Sequence, residues 1–214
     1  NSLDYGLTSG LQSLDEEEQK LWKNSVIAGN LYINRGITGA IVNRQPFGGM
    51  KLSAFGGGIK AGGPNYCTCF VEITDKPDSQ TDYIDSYFDA CEEEFMDPRD
   101  VNKLYGEQNV FRYLPLKSMI IRLFPEDTDR EVNMISYASE LCRTPLTISF
   151  DPSDDRTAAL TQYGWPLRKE SLEDFLKVMP DYERVRTCSP NIPKCMYERA
   201  AETNMYIVAA PPMK

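Results

Sequence analysis

The chain has 214 residues, 41% of them hydrophobic and 26% charged, which is ordinary for one large or two small globular domains. Its net charge of −9 argues against nucleic acid and anionic membranes as partners, and the absence of histidine excludes histidine-ligated zinc and histidine-activated nucleophiles from these residues. No apolar run is long enough to span a bilayer, and six cysteines without C-x-x-C spacing predict reduced thiols of a cytoplasmic protein.

The N-terminal region predicts a helix followed by a short strand. Ser13 and Glu16 have the spacing of a capping box, and the acidic residues that follow favour the positive end of a helix. We therefore predict a helix from this box to Ala28, ending at Gly29. Residues 31–34 then read as a short buried strand.

Residues 35–65 predict a long, glycine-rich loop, because they have no helical period and no long apolar run. A dinucleotide-binding loop needs G-x-G-x-x-G between a strand and a helix, and a Walker A loop needs G-x-x-x-x-G-K-[ST]. The glycines at 56–58 and 62–63 match neither spacing. Phosphate binding is therefore not predicted, and both a substrate-binding loop and a structural loop between two domains remain open.

Residues 66–74 alternate in a way that is typical of a strand with apolar residues on both faces. Such a strand should pair with another sheet edge, in its own second domain or in a partner subunit, so we predict oligomerisation through it. Turn residues at 76–80 mark a boundary. A helix then follows, with apolar residues at helical spacing: Ile84, Tyr87, Phe88, Cys91 and Phe95.

From residue 112 onward, strands alternate with helices, which predicts a Rossmann-like α/β domain with a mainly parallel sheet. The predicted strands are 117–124, 145–150, 184–188 and 205–210. The helices begin at Thr128, Ser171 and Pro193. Because the region lacks a glycine-rich first turn, the alternative of an independent nucleotide-binding protein is disfavoured.

Several motifs resemble a known family. The segments YGLTSGLQSLD, AGNLYINRGITGAIVNRQPFGG and LSAFGGGIKAGGPNY are similar to the C-terminal end of an aldehyde dehydrogenase, over residues 1–75. Residues 34–49 resemble, more narrowly, L-glutamate γ-semialdehyde (1-pyrroline-5-carboxylate) dehydrogenases. YGEQNVFRYLPL, at 105–116, resembles the start of the C-terminal extension in long proline utilisation A proteins.

This resemblance implies a domain organisation. Residues 1–75 would be the end of an aldehyde dehydrogenase catalytic domain, with a substrate-anchor loop and a closing strand. Residues 76–111 would be a helical linker, and residues 112–214 an α/β extension.

The resemblance also implies roles for three residues. Backbone N–H groups of Gly39 and Ala40 would bind the substrate carboxylate, and Phe47 would line the aldehyde site. From the residue type alone, Phe47 fits core packing as well. Asn43 and Ala54 stand where the family pattern has glycine, and a positive φ at position 54 would make alanine costly.

The implied parent enzyme oxidises L-glutamate 5-semialdehyde to L-glutamate with NAD, through thiolate attack on the aldehyde. Its catalytic cysteine, general base and NAD-binding domain would all precede residue 1. The chain is therefore expected to be an inactive C-terminal fragment with no catalytic residue, cofactor site or metal ligand of its own. The alternative is a non-catalytic module that mediates oligomerisation or covers a substrate tunnel.

Overall fold

The computed structural model describes residues 1–38, 40–41, 44–54, 56–74, 82–100 and 102–213. The chain divides into two compact units, one of Asn1–Ile73 and Pro98–Phe111, the other of Thr74–Asp97 and Arg112–Lys214. Within the described ranges, no helix is both long and apolar enough to cross a membrane.

The first unit is built from short elements around long connections. It contains β1 (Tyr5–Gly6), β2 (Thr8–Leu11), α1 (Glu16–Ser25), β3 (Asn30–Ile33), β4 (Met50–Lys51), a 3₁₀-helix (Tyr66–Phe70), β5 (Arg99–Asp100) and β6 (Val110–Phe111). β2 and β3 are parallel and joined through α1, whereas β1 pairs with β4, and β5 with β6, in antiparallel fashion. The predicted helix and strand of the N-terminal region are therefore present, and β2 is their unpredicted partner.

The ends of α1 differ from the prediction. Asp15, rather than Ser13, is the N-cap, and its carboxylate accepts hydrogen bonds from the backbone N–H groups of Glu17 and Glu18. The helix ends at Ser25 instead of continuing to Ala28, because the next backbone groups are held elsewhere: Ile27 N–H donates to Asn1 Oδ1 at 2.8 Å. Tertiary hydrogen bonds therefore end this helix before its glycine.

The predicted strand at residues 66–74 is wrong for this chain. Tyr66–Phe70 form a 3₁₀-helix, in which Tyr66 N–H donates to Gly63 O and Thr68 N–H to Asn65 O. The Gly63-Pro64-Asn65 sequence turns the chain, so these N–H groups bond locally instead of joining a sheet ladder. The alternation correctly marked the apolar residues, but Phe70, Val71 and Ile73 are 55–74% exposed.

The second unit is an α/β domain. It contains α2 (Tyr83–Ala90) with a π-helical turn (Cys91–Phe95), β7 (Met119–Arg122), α3 (Asp129–Leu141), β8 (Leu146–Phe150), α4 (Thr157–Thr161), β9 (Leu167–Lys169), α5 (Leu172–Val178) with a 3₁₀ turn (Met179–Asp181), β10 (Arg184–Thr187), α6 (Lys194–Thr203) and β11 (Ile207–Ala209). Every helix and strand predicted after residue 112 is present. Only α4 and β9, which are short, were missed.

Five parallel strands form the sheet of this unit, in the order β11-β10-β7-β8-β9. Consecutive residues of β7 supply the two faces: Ile121 packs with Val132 and Ile135 of α3, whereas Ile120 packs with Phe175 of α5 and with α6. All of these side chains are nearly or completely buried. Helices therefore cover both faces of the sheet, and the prediction of a Rossmann-like α/β domain is confirmed.

The predicted domain bounds, with a helical linker at 76–111, stay a prediction, and the two compact units divide that range. That linker is divided, because Pro98–Phe111 belongs to the first unit and the helical part to the second. Within Pro98–Phe111, β5 pairs with β6 in antiparallel fashion, and Glu107 accepts from Arg44 at 3.0 Å, which connects this segment to the rest of the first unit.

Candidate functional site

A cavity of about 690 Å³ lies in the first unit, in the glycine-rich region. Its described lining residues are Ala40, Ile41, Gln45, Pro46, Phe47, Ala61, Gly62, Gly63, Pro64, Asn102 and Phe111. Two of the three residues predicted to bind substrate, Ala40 and Phe47, therefore line one cavity. The third, Gly39, lies outside the described residues.

The backbone of Phe47 is fixed by hydrogen bonds on both sides. Phe47 N–H donates to Ala61 O and Ala61 N–H donates to Phe47 O, each at 3.0 Å, which forms an antiparallel bridge across the loop. Asn30, at the start of β3, hydrogen-bonds the residues on either side of Phe47. Its Nδ2 donates to Pro46 O at 3.0 Å, and its Oδ1 accepts from Gly48 N–H at 3.2 Å.

Lys60 completes this network with a positive charge. Its Nζ donates to Gly48 O at 2.8 Å and to Gly29 O, and lies 3.5 Å from Asn30 Oδ1. All three acceptors are neutral oxygens, and burial lowers the pKa of Lys60 to about 8. Sequence reasoning missed this residue. The available signal was a single lysine between glycines, in GGGIKAGG.

Two arginines near the cavity, Arg35 and Arg44, share one carboxylate. Glu107 accepts from Arg44 at 3.0 Å and lies 3.8 Å from Arg35, whose guanidinium stands 5.3 Å from the centre of the Tyr32 ring. The hydroxyl of Tyr32 accepts from Gln45 Nε2 at 2.7 Å and so fixes one lining residue. These contacts hold side chains around the cavity in place.

The described lining of the cavity has no ionisable side chain. It can therefore bind and orient a ligand through apolar contacts, amide groups and backbone N–H groups. It cannot itself supply a nucleophile or a general base.

The glycine departures in the loop have different outcomes. Ala54 does not have a positive φ, so alanine brings no backbone strain there. Asn43 lies outside the described residues. Gly62, which lines the cavity, has φ +72°, a conformation that other residues rarely adopt.

The six cysteines are free thiols, and none is among the described residues of the cavity wall. Cys142 is exposed, and partial desolvation of its thiol, followed by the neighbouring Cys91, raises its pKa. Burial, followed by the nearby carboxylates of Asp127 and Glu131, raises the pKa of Cys188 to about 12. These two thiols are therefore protonated at neutral pH and are poor nucleophiles.

The second unit has one group of side chains with possible metal ligands among its described residues. The ligand atoms of Asp127, Glu131 and Cys188 lie within 4.8 Å of one another. They follow β7 and β10, the neighbouring strands between which the strand order of the sheet reverses direction. The carboxylates already have structural partners, since Asp127 Oδ2 accepts from Phe124 N–H and Glu131 Oε2 from Thr128 N–H, both at 2.8 Å. The two carboxylates thus stabilise the turn that leads into α3.

The described carboxyl edge of this sheet lacks the features of a dinucleotide-binding motif. A dinucleotide needs glycines and a free helix N-terminus for its pyrophosphate. Here the first turn of α3 carries Asp129 and Glu131, and the Glu131 N–H donates to Thr128 Oγ1. Beside it, buried Arg122 donates to Ser149 Oγ and Glu170 O, both at 2.9 Å, which fills the edge with the protein's own groups.

The N-terminal part of the chain is similar to known proteins. Residues 1–75 match the aldehyde dehydrogenase family. Over 71 residues the chain is 46% identical to a 1-pyrroline-5-carboxylate dehydrogenase of Oceanobacillus iheyensis, covering 33% of this chain and 13% of that protein. Over 77 residues it is 53% identical to the bifunctional protein PutA of Rhizobium meliloti, covering 36% and 6%.

The similarity to solved structures extends beyond the aldehyde dehydrogenase segment. The structure of proline utilization A (PutA) from Corynebacterium freiburgense matches 99% of this chain with a TM-score of 0.70 and 32% identity. The α/β unit therefore has a counterpart in that protein. The chain spans 21% of that structure's length, and only 13% and 6% of the lengths of the two relatives named above.

Proposed function

We propose that this chain forms the substrate-anchoring part of an NAD-dependent aldehyde dehydrogenase that oxidises L-glutamate 5-semialdehyde to L-glutamate in proline catabolism. The observation that carries the proposal is the placement of Ala40 and Phe47 on one cavity within the family segment. The names of the relatives, 1-pyrroline-5-carboxylate dehydrogenase and PutA, support the choice of substrate.

In this proposal the chain binds and orients the substrate. Backbone N–H groups of Gly39 and Ala40 donate to the substrate carboxylate, which needs close approach to the main chain and no side chain in the way. The Phe47 ring packs against the aldehyde end. The described lining places no charged side chain beside the reacting group.

The catalytic thiol, the general base and NAD belong, in this proposal, to parts of the parent protein outside these residues. Two observations support this: the cavity wall offers no nucleophile among its described residues, and the described α3 N-terminus lacks a glycine-rich turn. Localisation of the parent to the cytoplasm remains part of the same proposal.

The test uses the full-length parent enzyme and two aldehydes of equal chain length, with and without the carboxylate. Gly39→Val places a branched side chain where the carboxylate would bind. Charge-assisted hydrogen bonds are worth about 1.5–3 kcal/mol each, so kcat/KM for glutamate semialdehyde should fall roughly 10- to 100-fold. The aldehyde without a carboxylate should lose much less.

Gly36→Val is the matched control, because a Cβ at Gly36 would meet no atom within 4 Å. This variant should leave kcat/KM unchanged for both aldehydes. Equal losses for the two aldehydes in Gly39→Val, with an unchanged melting temperature, would refute the carboxylate anchor.

A second role is proposed for the segment at residues 66–74. Its exposed apolar side chains, Phe70, Val71 and Ile73, favour contact with a second copy of the protein. This role concerns assembly and is compatible with the substrate-anchoring role of the loop. It is also the part of the oligomerisation alternative for which the structure offers a specific observation.

A further inference from the structure

Lys60 occupies an unusual position for a surface-type residue. Its ammonium group is half-buried and points at backbone oxygens of two different segments, Gly29 and Gly48. Burial without a carboxylate partner is unfavourable for a lysine, and it lowers the pKa of Lys60 to about 8. A charged group held in this way needs an explanation other than solubility.

The surroundings of Phe47 supply that explanation. The five successive backbone polar groups from Pro46 O to Gly48 O are all hydrogen-bonded, to Asn30, Ala61 or Lys60. Asn30 and Ala61 hold the two inner peptide groups, and Lys60 holds the outermost carbonyl. Lys60 is also covalently next to Ala61, so the Lys60 ammonium group and the Ala61 backbone both hold the segment around Phe47.

We propose that Lys60 is a positioning residue, which pins the Pro46–Gly48 backbone against the start of β3 and thereby holds the Phe47 ring at the cavity. The proposal rests on the proposed function for the role of Phe47. Lys60 is not among the residues lining the cavity, so it acts through Phe47 and not by touching the substrate.

Lys51 offers a matched control from the same loop. Its Nζ also donates to two backbone carbonyls, Asn1 O at 3.0 Å and Leu3 O at 2.7 Å. The chemistry is the same, but the carbonyls belong to the N-terminal segment and not to the residues around Phe47. Replacing each lysine by methionine removes the charge and keeps most of the side-chain volume.

In the full-length enzyme, Lys60→Met should lower kcat/KM about tenfold, mainly by raising KM, for aldehydes with and without a carboxylate alike. The two losses should be equal because Phe47 contacts the aldehyde end. Lys51→Met should leave KM within about twofold, whatever it does to the melting temperature. Equal effects of the two lysine variants, or an unchanged KM in Lys60→Met, would overturn the proposal.

Two further measurements separate positioning from folding. Amide hydrogen exchange at Phe47, Gly48 and Ala61 should accelerate in Lys60→Met and not in Lys51→Met. Asn30→Ala should raise KM in the same way, and the double variant Asn30→Ala/Lys60→Met should lose less than the two single losses combined, because both residues act through Phe47. Fully independent losses, with unchanged exchange at these amides, would refute the shared role.

The outcomes also distinguish this inference from the proposed function. If Gly39→Val fails to discriminate the two aldehydes, the carboxylate anchor is wrong, yet the Lys60 variants can still be judged on any aldehyde that the enzyme oxidises. If Gly39→Val discriminates and Lys60→Met has normal KM, only the positioning role is wrong.

Discussion

Gly29 shows how closely two backbone segments approach each other beside the cavity. A Cβ at this position would lie 1.8 Å from Gly48 O, a distance that no real atom pair of this kind adopts. The absence of a side chain therefore allows the start of β3 to meet the residues that follow Phe47. The same two residues supply the carbonyls that Lys60 holds.

Gly29→Ala should consequently destabilise the protein by about 1–3 kcal/mol, because the backbone must move to accept the methyl group. Gly36→Ala provides the control: its Cβ would meet nothing within 4 Å, so the change should lie within about 0.5 kcal/mol of zero. Urea unfolding of the two variants measures the difference. Equal midpoints would show that the loop adapts freely at Gly29.

At this scale the sequence predicted residue types better than partners. Phe47 and Ala40 could be selected because their motif resembles a family, and both line the cavity. Lys60 could not be selected, because its meaning depends on carbonyls of Gly29 and Gly48 that are distant in sequence. A backbone acceptor leaves no mark on residue identity, so such contacts are invisible without coordinates.

At the scale of elements, the best predictions were those with local signals. The helix after Thr128 has a complete capping box: Thr128 Oγ1 accepts from Glu131 N–H, and the Glu131 carboxylate accepts from Thr128 N–H. Both contacts are three residues apart, so the sequence contains the whole motif. The strand predicted at 66–74 failed because a strand also needs a partner, which alternation cannot specify.

Thr128→Ala should therefore lower the free energy of unfolding by about 1 kcal/mol, because α3 loses the acceptor for one of its first N–H groups. Thr128→Ser keeps the hydroxyl and should retain most of the stability. Chemical denaturation of the three proteins compares them directly. A serine variant as unstable as the alanine variant would assign the effect to the threonine methyl group instead of the cap.

At the scale of the whole molecule, exposed apolar surface at 66–74 bears on assembly. Val71 is 60% exposed, and Val71→Lys should shift the parent protein toward smaller species if this segment contacts a second copy. Leu14, which is 92% exposed in the same unit, supplies the control, since Leu14→Lys should leave the molar mass unchanged. Light scattering after size-exclusion chromatography measures both. An unaltered mass for Val71→Lys argues against assembly through this segment.

The strand order of the parallel sheet has a consequence for how the chain folds during synthesis. β7 is the first of the five strands to leave the ribosome and lies at the centre of the sheet, where Met119 pairs with both Leu146 and Arg184. One edge of β7 therefore stays unpaired until β10 has been synthesised. Until then Ile120 is also exposed, because α5 and α6, which bury it completely in the folded protein, follow later in the chain. Pairing β7 with β10 is slow because the two strands are far apart in sequence. We therefore expect the nascent chain to depend most on chaperones after β7 has been synthesised and before β10 has.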